Sequence, residues 1–291
     1  SVNRFWTLTN SGIVLTSYGV TFNFLAGDVD AGAITSAFMV GNYSTGSWTY
    51  PTVGPLTSTS STATGITVFG DFQIGDMAIF TKTWTGGAGT NNWGDATNWN
   101  VVGVPAATDN VELTGAFTIN INVAAVTKNL LLNNAGLVLT VMTGNSLTVS
   151  GNLTLTSGTF NTAAAFPTVS GIINLSGGTV GFTGSGTQTI PVYNYNNLIS
   201  SSTGSRVLAS SGTIGISGSF TPGTNAYTVS GSTIDFNSSG AQTVPAFNYN
   251  NLILDNAGIK TFGTGTAGIA GTLTMAGTAT TDATTNSSTI S

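Results

Sequence analysis

The sequence predicts an all-β protein: an N-terminal β-sandwich followed by a parallel β-solenoid. Three observations lead there. Charged residues make up only 5% of the 291-residue chain, while Gly alone fills 39 positions; a typical soluble domain is roughly 25% charged. Thr- and Val-rich runs broken by Gly and Asn indicate strands and turns, and no segment sustains the 3.6-residue apolar period of a helix. Finally, a stretch of sequence recurs: Gly186–Leu198 (GTQTIPVYNYNNL) and Gly240–Leu252 (GAQTVPAFNYNNL) agree at nine of thirteen positions, with a sequence offset of 54 (240 − 186). A fixed period marks stacked units, none able to bury its apolar face alone.

Residues 1–82 form the first expected unit. Val20, Phe22 and Phe24 alternate with polar residues and so share one face of a strand. Further short strands are expected around 4–9, 37–43, 47–50 and 66–80, separated by Gly, Pro and Ser clusters, the spacing of a β-sandwich. Ser1–Trp6 reads as a strand already under way, which leaves this sandwich incomplete.

Residues 83–128 form a Trp-rich opening segment. All five tryptophans precede residue 100, and Trp84, Trp93 and Trp99 fall here, followed by Val104-Pro105 and Asp109-Asn110-Val111. A solenoid needs its first coil covered, because that coil exposes an apolar cross-section and unpaired strand edges. The three tryptophans are large enough to serve as that cap.

Residues 129–291 carry the repeats, aligned on the Asn-Leu pairs at Asn129-Leu130, Asn197-Leu198 and Asn251-Leu252. The units are 129–196, 197–250 and a truncated 251–291. A small motif ending in Gly recurs at Gly151, Gly171, Gly218, Gly231 and Gly271, and the first two of these are offset by 20 (171 − 151). That offset fits one solenoid coil, so the unit that carries the longer repeat holds between two and three coils. The alternative is a string of small β-sandwich repeats, but a unit this short, without a disulfide, is small for a self-sufficient domain.

Residues 84–113 resemble the opening motif of bacterial surface β-helices, including autotransporter passengers. Segments 1–80 and 129–291 are similar to parts of large, repeat-rich secreted proteins of bacterial surfaces, of the giant adhesin or filament type. The resemblance implies a secreted, cell-surface protein whose tryptophans cover the first coil.

Composition narrows the chemistry. Five basic residues without a cluster argue against nucleic acid, which requires a basic patch. No apolar run approaches the length of a membrane span. Cysteine and histidine are absent, which excludes disulfides, histidine-based triads and imidazole or thiolate zinc sites. The best acid–base pair is Asp235 and Asp255, offset by 20 (255 − 235) and so expected on adjacent coils. With so little titratable machinery, no enzyme is expected and no cofactor is implied. Asp28 and Asp30 are the candidate metal ligands, for calcium, with Asp in a turn beside Gly27 as the simpler account. Tyr193, Tyr195, Phe247 and Tyr249 are candidate contacts for a surface glycan or a partner, unless they fill one structural niche in each unit.

These expectations converge on an extracellular structural or adhesive protein. Its partners would be neighbouring copies of itself or further repeats of the same polypeptide, joined covalently or by strand addition. A glycan-binding surface module is the second reading. Ice binding through rows such as Thr272-Leu273-Thr274 is the third.

Overall fold

The computed structural model describes residues 1–30, 35, 38–76 and 81–291. The protein is all-β, with 53% of the described residues in strands. Two compact units divide it, Ser1–Phe80 and Thr81–Ser291.

The first unit holds two antiparallel sheets. One orders Phe5–Leu8, Gly70–Asp76, Phe38–Ser44 and Ser47–Thr49; the other orders Tyr18–Asn23, Ser60–Ile66 and Thr52–Thr57. Phe22 and Phe24 turn inward as the alternation predicts, joining Phe38, Val40, Ala63, Ile66, Phe72 and Ile74 in one apolar cluster, with Val20 half-buried against it. All five expected strands are present; parts of two, residue 37 and residues 77–80, lie outside the described residues. The sequence reading missed the strands Thr52–Thr57 and Ser60–Ile66, in a stretch read as turn-rich. Pro55 is tolerated because Thr52–Thr57 is an edge strand with a register shift between Val53 and Leu56. The hairpin Phe38–Ser44/Ser47–Thr49 closes through Thr45 and Gly46, both at positive φ (51° and 87°), as a two-residue hairpin loop requires.

The second unit is a parallel β-solenoid of about nine turns. Every strand pair described in it is parallel, which rules out a string of antiparallel sandwiches. A 12-stranded sheet runs its length, flanked by short three-stranded ladders. Val111 registers with Leu130, Leu130 with Leu153 and Leu153 with Ile173, so successive coils advance the sequence by 19, 23 and 20 (130 − 111, 153 − 130, 173 − 153). Inward Leu, Ile, Val and Phe stack into one continuous core; each fully buried side chain of this size contributes about 1.5–3 kcal/mol. The ladder begins at Thr81–Thr83, and the opening segment itself supplies the strands Asn110–Leu113, Thr118–Ile121 and Ala124–Thr127.

Three coil steps, Tyr195 to Ile216 to Phe236 to Leu254, advance the sequence by 59 (254 − 195). The repeat, which advances it by 54 (249 − 195), therefore falls just short of three turns, and its two copies meet different neighbours. Tyr195 pairs in the long sheet with Leu175 and Ile216, whereas Tyr249 pairs with Ile269 in a short ladder.

The Asn of the aligning pair sets the register between coils. Asn129 Oδ1 accepts from the Asn152 amide (2.7 Å), Asn152 Oδ1 from Ile172 (2.9 Å), Asn197 Oδ1 from Ser219 (3.0 Å) and Asn251 Oδ1 from Thr272 (3.1 Å). Each Asn oxygen lies over the recurring Gly of the next coil. A Cβ on Gly151, Gly171, Gly218 or Gly271 would come within 2.3–2.5 Å of it. Glycine ends the motif because the Asn of the preceding turn occupies that space.

Candidate functional site

The three solenoid tryptophans are buried together. Trp84 bridges to Trp99 with ring centroids 5.1 Å apart, and Trp93 meets Trp99 edge-on at 4.6 Å. Trp99 Nε1 donates to the Trp93 carbonyl (3.0 Å). Buried Asn98 holds the loop closed, donating to the Thr90 and Asn92 carbonyls and accepting from the Ala88 amide. Asn92 then bridges in parallel to Asn120, on the edge of Thr118–Ile121 opposite to its partner Val138–Val141. The segment thus occupies an edge that a preceding coil would otherwise pair.

Inside the solenoid, polar side chains form two stacks, in which Gln188, Arg206, Gln242 and Lys260 are buried. In the first, Gln188 Nε2 donates to the carbonyls of Thr162 (2.9 Å) and Ala164 (2.5 Å). One coil later, Arg206 donates to the carbonyls of Phe182 (2.8 Å), Gly184 (3.1 Å) and Ser201 (2.6 Å). Asn225 follows, donating to Ser201, Ser202 and Gly204. In the second stack, Gln242 Nε2 donates to Ile216 (2.7 Å) and Gly218 (2.9 Å), and Lys260 Nζ to the Ser238 carbonyl (2.7 Å). Arg206 and Lys260 are fully buried, and among the described residues neither has a carboxylate within ion-pair distance. Backbone carbonyls at strand ends solvate them instead, which offsets part of the cost of burying a charge. Burial pushes both groups below their ordinary pKa; Asp235 and Asp255 partly counter this for Lys260. A signal was present: Gln188/Gln242 and Arg206/Lys260 share the repeat's offset of 54 (242 − 188, 260 − 206).

Asp235 and Asp255 do lie on neighbouring coils, but Asp235 registers with Ile253 rather than with Asp255. Burial, with Asp255 adding to it, pushes the Asp235 carboxyl up to about 6. Among the described residues its Oδ1 has no hydrogen-bond partner.

The four recurrent aromatics do not form an exposed strip. Tyr195 and Tyr249 are buried, each phenol donating to the proline carbonyl four residues earlier, Pro191 and Pro245, at 2.9 Å. Tyr193 and Phe247 are half-buried, packed on Phe166 and Tyr227 respectively. An aromatic ring with its single polar group satisfied internally is a core residue. Tyr193 lines an open groove of about 600 Å³ beside Asn174, Ser176, Asn194, Thr213 and Ser217.

The proposed calcium ligands are already engaged. Asp28 accepts from Arg4 Nε (2.5 Å) and the Leu25 amide (2.7 Å); Asp30 accepts from Asn3 Nδ2 (2.9 Å) and from the Ser1 hydroxyl. These contacts hold both carboxylates below the usual range. Among the described residues no three acidic side chains converge on a common point. The Thr row also breaks: Thr274 registers with Ile253, which registers with Asp235.

Comparison of the chain with protein-family models, curated proteins and solved structures finds no match.

Proposed function

We propose that this chain is a structural or adhesive module of an extracellular surface, in which the solenoid acts as a stiff, repetitive scaffold. One observation carries the reading: a single parallel sheet of 12 strands continues through the second unit, with its polar interior spent on fastening coil to coil. Backbone hydrogen bonds running along the axis resist extension without specific chemistry at any one point. The buried cations leave the surface almost without positive charge and with a small acidic excess, so neighbouring units meet as sparsely charged, Thr- and Asn-rich faces. Its partners on this reading are further copies or further repeats of the same polypeptide, because the register that stacks each coil on the last accepts another by strand addition.

Electron microscopy of the native material tests the proposal. Filaments or elongated surface appendages containing this chain support it, and a preparation made only of isolated particles counts against it. Mass spectrometry of the same sample separates the two routes to a longer structure. A native mass near 29 kDa excludes covalent continuation and leaves strand addition.

A further inference from the structure

One end of the first unit carries an apolar tip. Leu8 pairs with Gly70, Tyr18 with Ile66 and Tyr43 with Asp71, so connections 9–17 and 67–69 and the hairpin turn at Thr45-Gly46 emerge at that same end. The first connection presents Ile13, Val14 and Leu15 in succession, 58%, 99% and 36% exposed. A contiguous apolar run turned to water marks an interaction surface. Val68 is exposed at the same end; its carbonyl accepts from the Tyr18 hydroxyl (3.0 Å), and the Tyr18 ring stacks on Phe69 at 4.8 Å. Tyr50, also exposed, lines a recess together with Val68.

Two observations indicate what covers the tip. The first concerns its backbone. Asn10 Oδ1 accepts from the amides of Gly12 (3.0 Å) and Ile13 (2.8 Å), while Asn10 Nδ2 donates to the Ile13 carbonyl (2.9 Å). These polar groups are satisfied within the loop, a service that water performs for any exposed turn but hydrocarbon cannot. The second concerns charge. Neither residues 5–27 nor residues 31–70 include a single charged side chain. Arg4 and Asp28 pair at the other end of the strand Phe5–Leu8, and Asp71, the first charge beyond Gly70, accepts from Thr7 Oγ1 (2.6 Å). Burying the tip therefore strips no ion of its water. Tyrosine beside an apolar tip is a residue that settles at the headgroup level of a membrane.

We infer that Ile13, Val14 and Leu15 insert into the interfacial layer of a zwitterionic lipid bilayer, with Tyr50 at headgroup level. With no lysine or arginine beside the tip and a net charge of −5, an anionic bilayer would repel the chain. Insertion of a loop tip reaches only the boundary between headgroups and acyl chains, so no spanning helix is needed, and none of the described helices is long enough to span. This goes beyond the scaffold reading and does not depend on it: filaments that ignore lipid and lipid-bound particles that form no filament are separate outcomes.

Flotation of the full chain with phosphatidylcholine vesicles, and with vesicles containing phosphatidylserine, tests the assignment. The expected result is co-flotation with phosphatidylcholine, weakened by added phosphatidylserine and reduced about tenfold or more by Val14→Asp. Val14 projects into solvent, so this variant should keep its near-UV circular dichroism, and Val14→Leu should float as well as wild type. Ile172→Asp, at an equally exposed apolar residue of the solenoid, should leave flotation unchanged. The assignment is overturned if the chain does not float with phosphatidylcholine, if phosphatidylserine strengthens flotation, or if Val14→Asp floats like wild type. It is equally overturned if Ile172→Asp abolishes flotation as well. A wild-type dimer that Val14→Asp dissociates, without vesicle binding, would assign the tip to a second copy instead.

Discussion

Lys260 Nζ donates to Gln242 Oε1 at 3.2 Å, from one coil to the coil before it, and both side chains are buried. The contact links two residues in direct parallel register, as Gln188 and Arg206 are one repeat earlier. A charged group serves here as a donor to two buried oxygens, the Ser238 carbonyl and Gln242 Oε1, the latter also accepting from the Ser238 amide.

Replacing Lys260 should therefore be costly in proportion to the acceptors and space left behind. Lys260→Ala is expected to lose about 2–4 kcal/mol, from an unfilled volume and unpaired oxygens. Lys260→Met should lose less, about 1–2 kcal/mol, because it fills the volume and removes the cost of burying a charge. Urea denaturation monitored by circular dichroism gives both values. Equal midpoints for wild type and Lys260→Ala would mean the stack contributes nothing to stability.

The Asn–Gly register device predicts coupling between two sites on different coils. Gly271→Ala brings a Cβ against Asn251 Oδ1 and should cost about 1–3 kcal/mol. Asn251→Ala removes two hydrogen bonds to Thr272, yet in that background the glycine substitution should cost much less. A double-mutant cycle measures the difference, expected at about 1 kcal/mol or more. Strict additivity would show that the Asn does not occupy the glycine's space.

Asp235 makes stability depend on pH in an unusual direction for a carboxylate. Its folded pKa, about 6, lies above its unfolded value. The stabilisation is thus fully present below the unfolded pKa and is lost as pH rises through about 6. Asp235→Asn should consequently stabilise the protein at about pH 8, by about 1 kcal/mol once solvent screening of this half-exposed group is allowed for. The gain should shrink toward zero as pH approaches about 4. An identical increment at both extremes would dismiss the titration as its cause.

Alkaline titration should divide the tyrosines. Burial raises Tyr195 and Tyr249 well above the ordinary phenol range, and Tyr227 and Tyr18 to a lesser degree. Raised folded values mean stability present at neutral pH and lost as pH climbs through them. Tyrosinate absorbance should rise in two stages, the second coinciding with loss of near-UV dichroism. Tyr195→Phe should cost about 1 kcal/mol for its bond to Pro191. A single-stage titration in a folded protein would place these rings in contact with water.

The solenoid was legible because the residues that set its register are unusual ones. Asn-Leu pairs and Gly-ending motifs recur visibly, and both prove to be one device, an Asn oxygen of one coil over a Gly of the next. The strand Ser60–Ile66 was not legible, because its inward positions include Ser61 and Ala63, which carry little apolar signal. The burial of Arg206 and Lys260 was not legible, because charge ordinarily marks the surface. Only the carbonyl groups at strand ends, which no side-chain pattern reports, make their burial possible. Tyr195 and Tyr249 take the structural niche named as the alternative to a surface contact: their hydroxyls are satisfied by proline carbonyls four residues earlier.

The interior stacks also give the chain a direction. In each coil-to-coil contact of Gln188, Arg206, Asn225, Gln242 and Lys260, the donor comes from 18 to 26 positions later in the sequence than the acceptor. A polypeptide delivered N-terminus first would leave its newest turn unsealed until roughly one further turn had arrived to lock it. Assembly would then advance like a ratchet whose pawl always trails by one tooth.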